Sequence, residues 1–164
     1  MRDLLAAIIA VGLLLLAASL ATTLHAYRRR RLRAFDSERA MGRHIVAELP
    51  TAEEMVLFSE DTDHFYYSEH PIDKELIVAV RVLINGSPIA AVLSTRHGRS
   101  REVPPTSFED RPEGIARDRW DVAIEALSGT VLVECGSIRE RVSQELARAV
   151  FEAVRGDVEG RSTL

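Results

Sequence analysis

Residues 4–24 read LLAAIIAVGLLLLAASLATTL, with no charge and no proline in the run. Polar backbone groups in hydrocarbon must be satisfied within the segment, so a run like this is helical wherever it meets lipid. At about 1.5 Å per residue its 21 residues reach about 31 Å, close to the ~30 Å hydrocarbon thickness of a bilayer. The run is therefore read as a membrane-spanning helix. Its small residues, Gly12, Ala17, Ala18 and Ser19, are ordinary filler in such helices and carry no separate weight.

The flanks give the span a direction. Before it stand Arg2 and Asp3; after it stand Arg28, Arg29, Arg30, Arg31 and Arg33. Basic residues stay on the cytoplasmic side. The expectation is a single-pass protein of an inner or plasma membrane, N-terminus out and the remaining chain cytoplasmic. Tyr27 sits where an interfacial aromatic belongs. Together, Tyr27, Arg28, Arg29, Arg30, Arg31 and Arg33 form the candidate membrane interface, with lipid as a partner. The rival reading is a cleaved export signal, since Ser19-Leu20-Ala21 places small residues where a peptidase cuts. The apolar run exceeds the usual 7–15 residues of such signals, and its positive charge lies on the opposite side.

Charge divides the chain. Residues 1–34 hold six arginines against Asp3, a formal +5; the whole chain is −4, so residues 35–164 carry −9. A soluble part this acidic speaks against nucleic acid as a partner. Residues 35–164 suffice for one domain with one core. The single cysteine, Cys135, leaves no intramolecular disulfide and suits a reducing compartment.

The expected organisation is an anchor over 1–27, a basic juxtamembrane segment and connector over 28–48, an α+β domain over 49–156 and a frayed tail over 157–164. Thr51 and Glu54 make a capping box ahead of Met55-Val56-Leu57-Phe58, which predicts a short helix over 52–59. Residues 64–68 predict a short strand. Residues 75–84 are rich in β-branched side chains, and Asn85-Gly86 follows before an apolar return, so a hairpin is expected there. Residues 114–127 place Ala116, Trp120, Ala123, Ile124 and Leu127 at helical spacing. Residues 130–135 (TVLVEC) read as a buried strand. A second capping box, Ser137 to Glu140, opens a helix running to about residue 155 with Gly156 ending it. The sum is an α+β fold with an antiparallel or mixed sheet of about four or five strands and two long helices on one face.

Three constellations bear on chemistry. Cys135 and Arg141 are separated by five residues between a strand and a helix, the spacing of cysteine-dependent phosphatases. Here, however, glycine follows the cysteine directly, and Glu134 opposes thiolate formation. The 60–73 segment gathers Glu60, Asp61, Asp63, His64, Glu69, His70 and Asp73. Of these, Asp61, Asp63, His64 and His70 are the metal candidates, although their spacing fits no known site. Third, residues 48–75 carry a formal −8, while Arg96, His97, Arg99 and Arg101 make a compact basic turn with Phe108 in the proline loop beyond. These five are candidates for docking a protein partner at the membrane, where charge complementarity steers association. No nucleotide loop, triad or metal spacing is present, and no cofactor is expected. The leading expectation is a non-catalytic interaction or regulatory domain. The alternatives are a metal-dependent or phosphate-handling hydrolase and a self-associating homo-oligomer.

Overall fold

The computed structural model describes residues 2–50, 55–68, 70–96 and 118–162. It divides into two compact units, one ending at Met41 and one beginning at Gly42.

The first unit is one helix, α1 (Arg2–Ala40). It is longer than the apolar run and continues through the arginines. Among the described residues one helix, α1, is long and apolar enough to cross a membrane. Arg28, Arg29, Arg30, Arg31 and Arg33 are all exposed, and at 100° per residue they distribute around the helix as a collar.

The second unit holds two four-stranded antiparallel sheets and one helix. Sheet A is a meander of β1 (His44–Pro50), β2 (Met55–Glu60), β3 (His64–Tyr67) and β4 (His70–Asp73), in that order. A 3₁₀ turn, Lys74–Leu76, leads into β5 (Ile77–Ile84). Sheet B runs β6 (Ser87–Leu93), β5, β7 (Arg119–Ala126), β8 (Gly129–Ser137). Helix α2 (Arg141–Ser162) packs on β1, β5, β7 and β8.

The core is a single cluster drawn from all three layers. Sheet A gives Leu49, Phe58, Phe65 and Ile72; sheet B gives Val80, Val82, Val122, Ile124, Val133 and Cys135; α2 gives Ala147, Val150, Phe151, Val154 and Val158. Phe58 and Phe65 stack with ring centroids 5.6 Å apart. Buried apolar side chains contribute about 1.5–3 kcal/mol each, so the sheets and α2 are stabilised mainly through one another.

The class is α+β, as expected, and the β5–β6 hairpin forms as its turn predicts. Asn85 and Gly86 both have positive φ, 54° and 81°, as a tight hairpin turn requires. Four elements differ from the sequence reading. Residues 55–60 are strand β2, paired to the preceding strand β1 in register Leu49 with Val56; this strand pairing, and not the capping signal at 51–54, sets their form, and residues 51–54 lie outside the described residues. The second helix expected over 114–127 is strand β7 across Arg119–Ala126. In that strand Trp120, Val122 and Ile124 face the core cluster, and Arg119, Asp121 and Glu125 the other side. Among the described residues one helix, α2, lies on the sheets. Strand β1 brings His44–Pro50 into the domain, ahead of the boundary expected at residue 49. Finally, α2 begins at Arg141 and passes through Gly156 to Ser162; burial of Val158 and an Arg161–Asp157 pair at 3.0 Å hold the last turns that were expected to fray.

Candidate functional site

The 60–73 cluster forms around the β2–β3 turn. Asp61 organises it. Its Oδ1 accepts from the backbone N–H of Asp63 at 2.8 Å and of His64 at 2.7 Å, and its Oδ2 accepts from the Tyr66 hydroxyl at 2.7 Å. The Tyr66 hydrogen bond, more than the two backbone donors, lowers the Asp61 carboxyl to about 2. The same bond pushes the Tyr66 phenol up, because ionising it would place two anions together. The Arg43 guanidinium lies 3.5 Å from the centre of the Tyr66 ring, a close cation–π contact. His64 Nδ1 is 3.8 Å from Asp61.

Lys74, the one lysine in the chain, is buried one layer below. Its ammonium donates to Glu60 Oε2 at 2.9 Å and to the Asp61 carbonyl at 2.8 Å, lies 3.7 Å from Asp157 Oδ1 and sits 4.4 Å above the centre of the Phe65 ring. Arg161 completes the network. It pairs with Asp157 at 3.0 Å, donates to the Thr62 carbonyl at 3.0 Å and approaches Glu75 at 3.7 Å. The end of α2 is thereby pinned to the turn between β2 and β3. Burying Lys74 is tolerated because several oxygens satisfy its charge.

The turn thus brings Asp61, Asp63 and His64 together and leaves His70 apart. His64 is opposite Asp73 and Tyr67 opposite His70 across the β3–β4 pair, so the two histidines stand at opposite ends of that ladder. Three residues along a strand separate them by about 10 Å. Among the described residues no group of three histidine, cysteine or carboxylate side chains converges as metal ligands do.

A second network lies on sheet B, away from the core cluster. Arg119 pairs with Asp121 at 3.0 Å and with Glu134 at 2.9 Å, and Arg81 pairs with Glu125 at 2.8 Å. Beneath it Cys135 is fully buried, and burial pushes its thiol up to about 12. Arg141 does not clamp toward that cysteine; it opens α2 with an exposed guanidinium paired to Glu145 at 3.2 Å. A thiol held protonated and an arginine turned to solvent do not make a phosphate cradle. Gly136, at φ 108°, is required where it stands: a Cβ there would lie 2.5 Å from Ser143 Oγ of α2.

Of the docking candidates, Arg96 ends the described hairpin and is exposed, whereas His97, Arg99, Arg101 and Phe108 lie outside the described residues. Tyr27 is 57% exposed on α1. The sequence reading missed Lys74, Asp157 and Arg161 as one network. The i,i+4 spacing of Asp157 and Arg161 was its only local signal.

No family model, curated protein or solved structure matches the chain.

Proposed function

We propose that the chain is a single-pass membrane protein of an inner or plasma membrane, with its N-terminus outside. Its 42–164 domain then serves on the cytoplasmic face as a non-catalytic interaction or regulatory module. The observation that carries the reading is α1, an uncharged 21-residue run followed on one side only by a collar of five arginines within the same helix. That asymmetry favours retention of the basic end in the cytoplasm, and the collar lies close enough to the span to meet anionic head groups. The non-catalytic part is supported by the roles the reactive groups already have. Asp61 holds a turn, Lys74 joins α2 to sheet A, and Cys135 is packed in the core. A tether raises the effective concentration of such a domain toward partners in the same membrane.

Topology is tested by fusing a reporter to the C-terminus of the full chain. A reporter that works only in the cytoplasm should be active, and one that needs export should be silent. The reverse pattern, or a mature protein whose mass begins near residue 22, would overturn the anchor reading. Interaction is tested by cross-linking the full chain in its membrane; recovery of no membrane-associated partner would count against the module. The thiol-enzyme alternative predicts alkylation of native Cys135, whereas burial predicts modification only after denaturation.

A further inference from the structure

The outward side of α2 carries Arg141, Glu145, Arg148, Glu152, Arg155 and Glu159. The spacing alternates between four and three residues, so all six follow one side of the helix over about 27 Å. The core residues Ser143, Ala147, Val150, Val154 and Val158 occupy the other side. The charges alternate strictly in sign.

Pairing within the helix accounts for only part of this pattern. Arg141 pairs with Glu145 at 3.2 Å and Arg155 with Glu159 at 2.9 Å. In these two i,i+4 pairs arginine precedes glutamate, the less favourable order against the helix dipole, while Glu152 and Arg155, 3.5 Å apart, stand in the favourable order. The first turn contains no acidic residue and begins with Arg141, again opposite to what the dipole favours.

The pattern has another property. Read backwards, it exchanges every arginine for a glutamate. A second α2 laid antiparallel on this face therefore sets Arg141 opposite Glu159, Glu145 opposite Arg155 and Arg148 opposite Glu152, with the same three pairs repeated by the two-fold axis. A parallel copy would set like on like. Beside the charged ridge run Val142, Ala149 and Gly156 at seven-residue spacing, with Val142 62% exposed. Among the described residues a Cβ at Gly156 would meet nothing within 4 Å. Glycine is unfavourable in a helix interior, and nothing among the described residues packs where its side chain would stand. A closely approaching helix would.

From this charge antisymmetry and the open space at Gly156, we propose that the outward face of α2 is a self-association surface, occupied by α2 of a second copy in antiparallel orientation. The proposal rests on the reading of the domain as an interaction module and names a second copy as its partner. Two charge-block variants of the full chain in detergent micelles test it. One carries Arg141→Glu, Arg148→Glu and Arg155→Glu; the other carries Glu145→Arg, Glu152→Arg and Glu159→Arg. The native chain should sediment as a dimer that weakens with salt. Each variant alone should associate about a hundredfold more weakly, through six like-charge contacts, and an equimolar mixture should recover a heterodimer. Ala149→Cys, near the two-fold axis, should give a disulfide-linked dimer, and Gln144→Cys should not. Gly156→Leu should keep the native circular dichroism and lose the dimer. A native chain that stays monomeric, or charge-block variants that remain dimeric alone, would overturn the proposal. Neither result touches the module reading if cross-linking in the membrane still captures a different protein.

Discussion

The two helices among the described residues solve opposite problems. Along α1 the leucines at 13, 14, 15 and 16 point in four directions, and each is 63–72% exposed. Such a stretch is apolar on every side, the pattern of a helix that an apolar solvent could surround. Along α2 the apolar residues return every three or four positions, and Val150 and Val154 are fully buried. There the solvent is the protein's own core. The difference lies in hydrophobic period and not in helix propensity, so the same substitution should have different consequences in the two places.

The largest expected effect is Val150→Asp in α2. An unpaired carboxylate buried in the core cluster to which Val150 belongs costs an amount comparable with the whole ~5–15 kcal/mol stability of a domain. The domain should lose its cooperative thermal transition in circular dichroism. Leu15→Arg in α1 should leave that transition unchanged. It should instead oppose membrane insertion by about 2.5–3.5 kcal/mol, read as the fraction of protein released from membranes by alkaline wash. A shift in domain melting with Leu15→Arg would mean that the helix is covered by protein after all.

Next in size is Gly136→Ala, at the junction where α2 meets β8. The new Cβ meets Ser143 Oγ at 2.5 Å on a backbone with φ 108°. Strain and overpacking together should cost about 1–3 kcal/mol in chemical denaturation. Adding Ser143→Ala should recover only the part due to the hydroxyl. Full recovery would show that the backbone conformation is costless.

Both helices were legible in the sequence because a long run constrains its own period. The sheets were legible only in part. Residues 119–126, RWDVAIEA, alternate apolar and polar as a half-buried strand does, but Trp120, Ala123, Ile124 and Leu127 also fit a helical stripe. With Ala123 acceptable on either side, eight residues do not decide; pairing with β5 and β8 does. Residues 55–60 are the same case, decided by β1. At the candidate site, the Asp61 turn was visible as an acidic segment. Its joining to α2 was not, because Lys74 meets Asp157 across 83 positions of chain, and no local pattern records that.

A smaller effect is expected from acid, and it belongs to the α2 side of the comparison. Asp61 takes up its proton near pH 4 when unfolded and near 2 when folded. Between those values the unfolded chain binds more protons, so stability present above pH 4 is lost as pH falls toward 2. Tyr66→Phe removes the main cause of the depression and should flatten that part of the pH–stability curve. An unchanged curve would assign acid sensitivity to other carboxylates.

The smallest effect on folding should come from Arg155→Ala. Its pairs with Glu152 at 3.5 Å and Glu159 at 2.9 Å lie on the outward side of α2, where exposed pairs contribute about 0–1 kcal/mol. The melting temperature should move by little. Association is a different matter, since across an antiparallel two-fold axis Arg155 faces Glu145, and one substitution removes two contacts. Sedimentation and melting of the same variant therefore separate two explanations of one charged stripe. If it serves only to stabilise its own helix, both readouts move slightly together. If it is written for a second copy, the dimer weakens while the fold stays as it was, and α2, like α1, is a helix whose exposed side is explained only by what lies beyond its own chain.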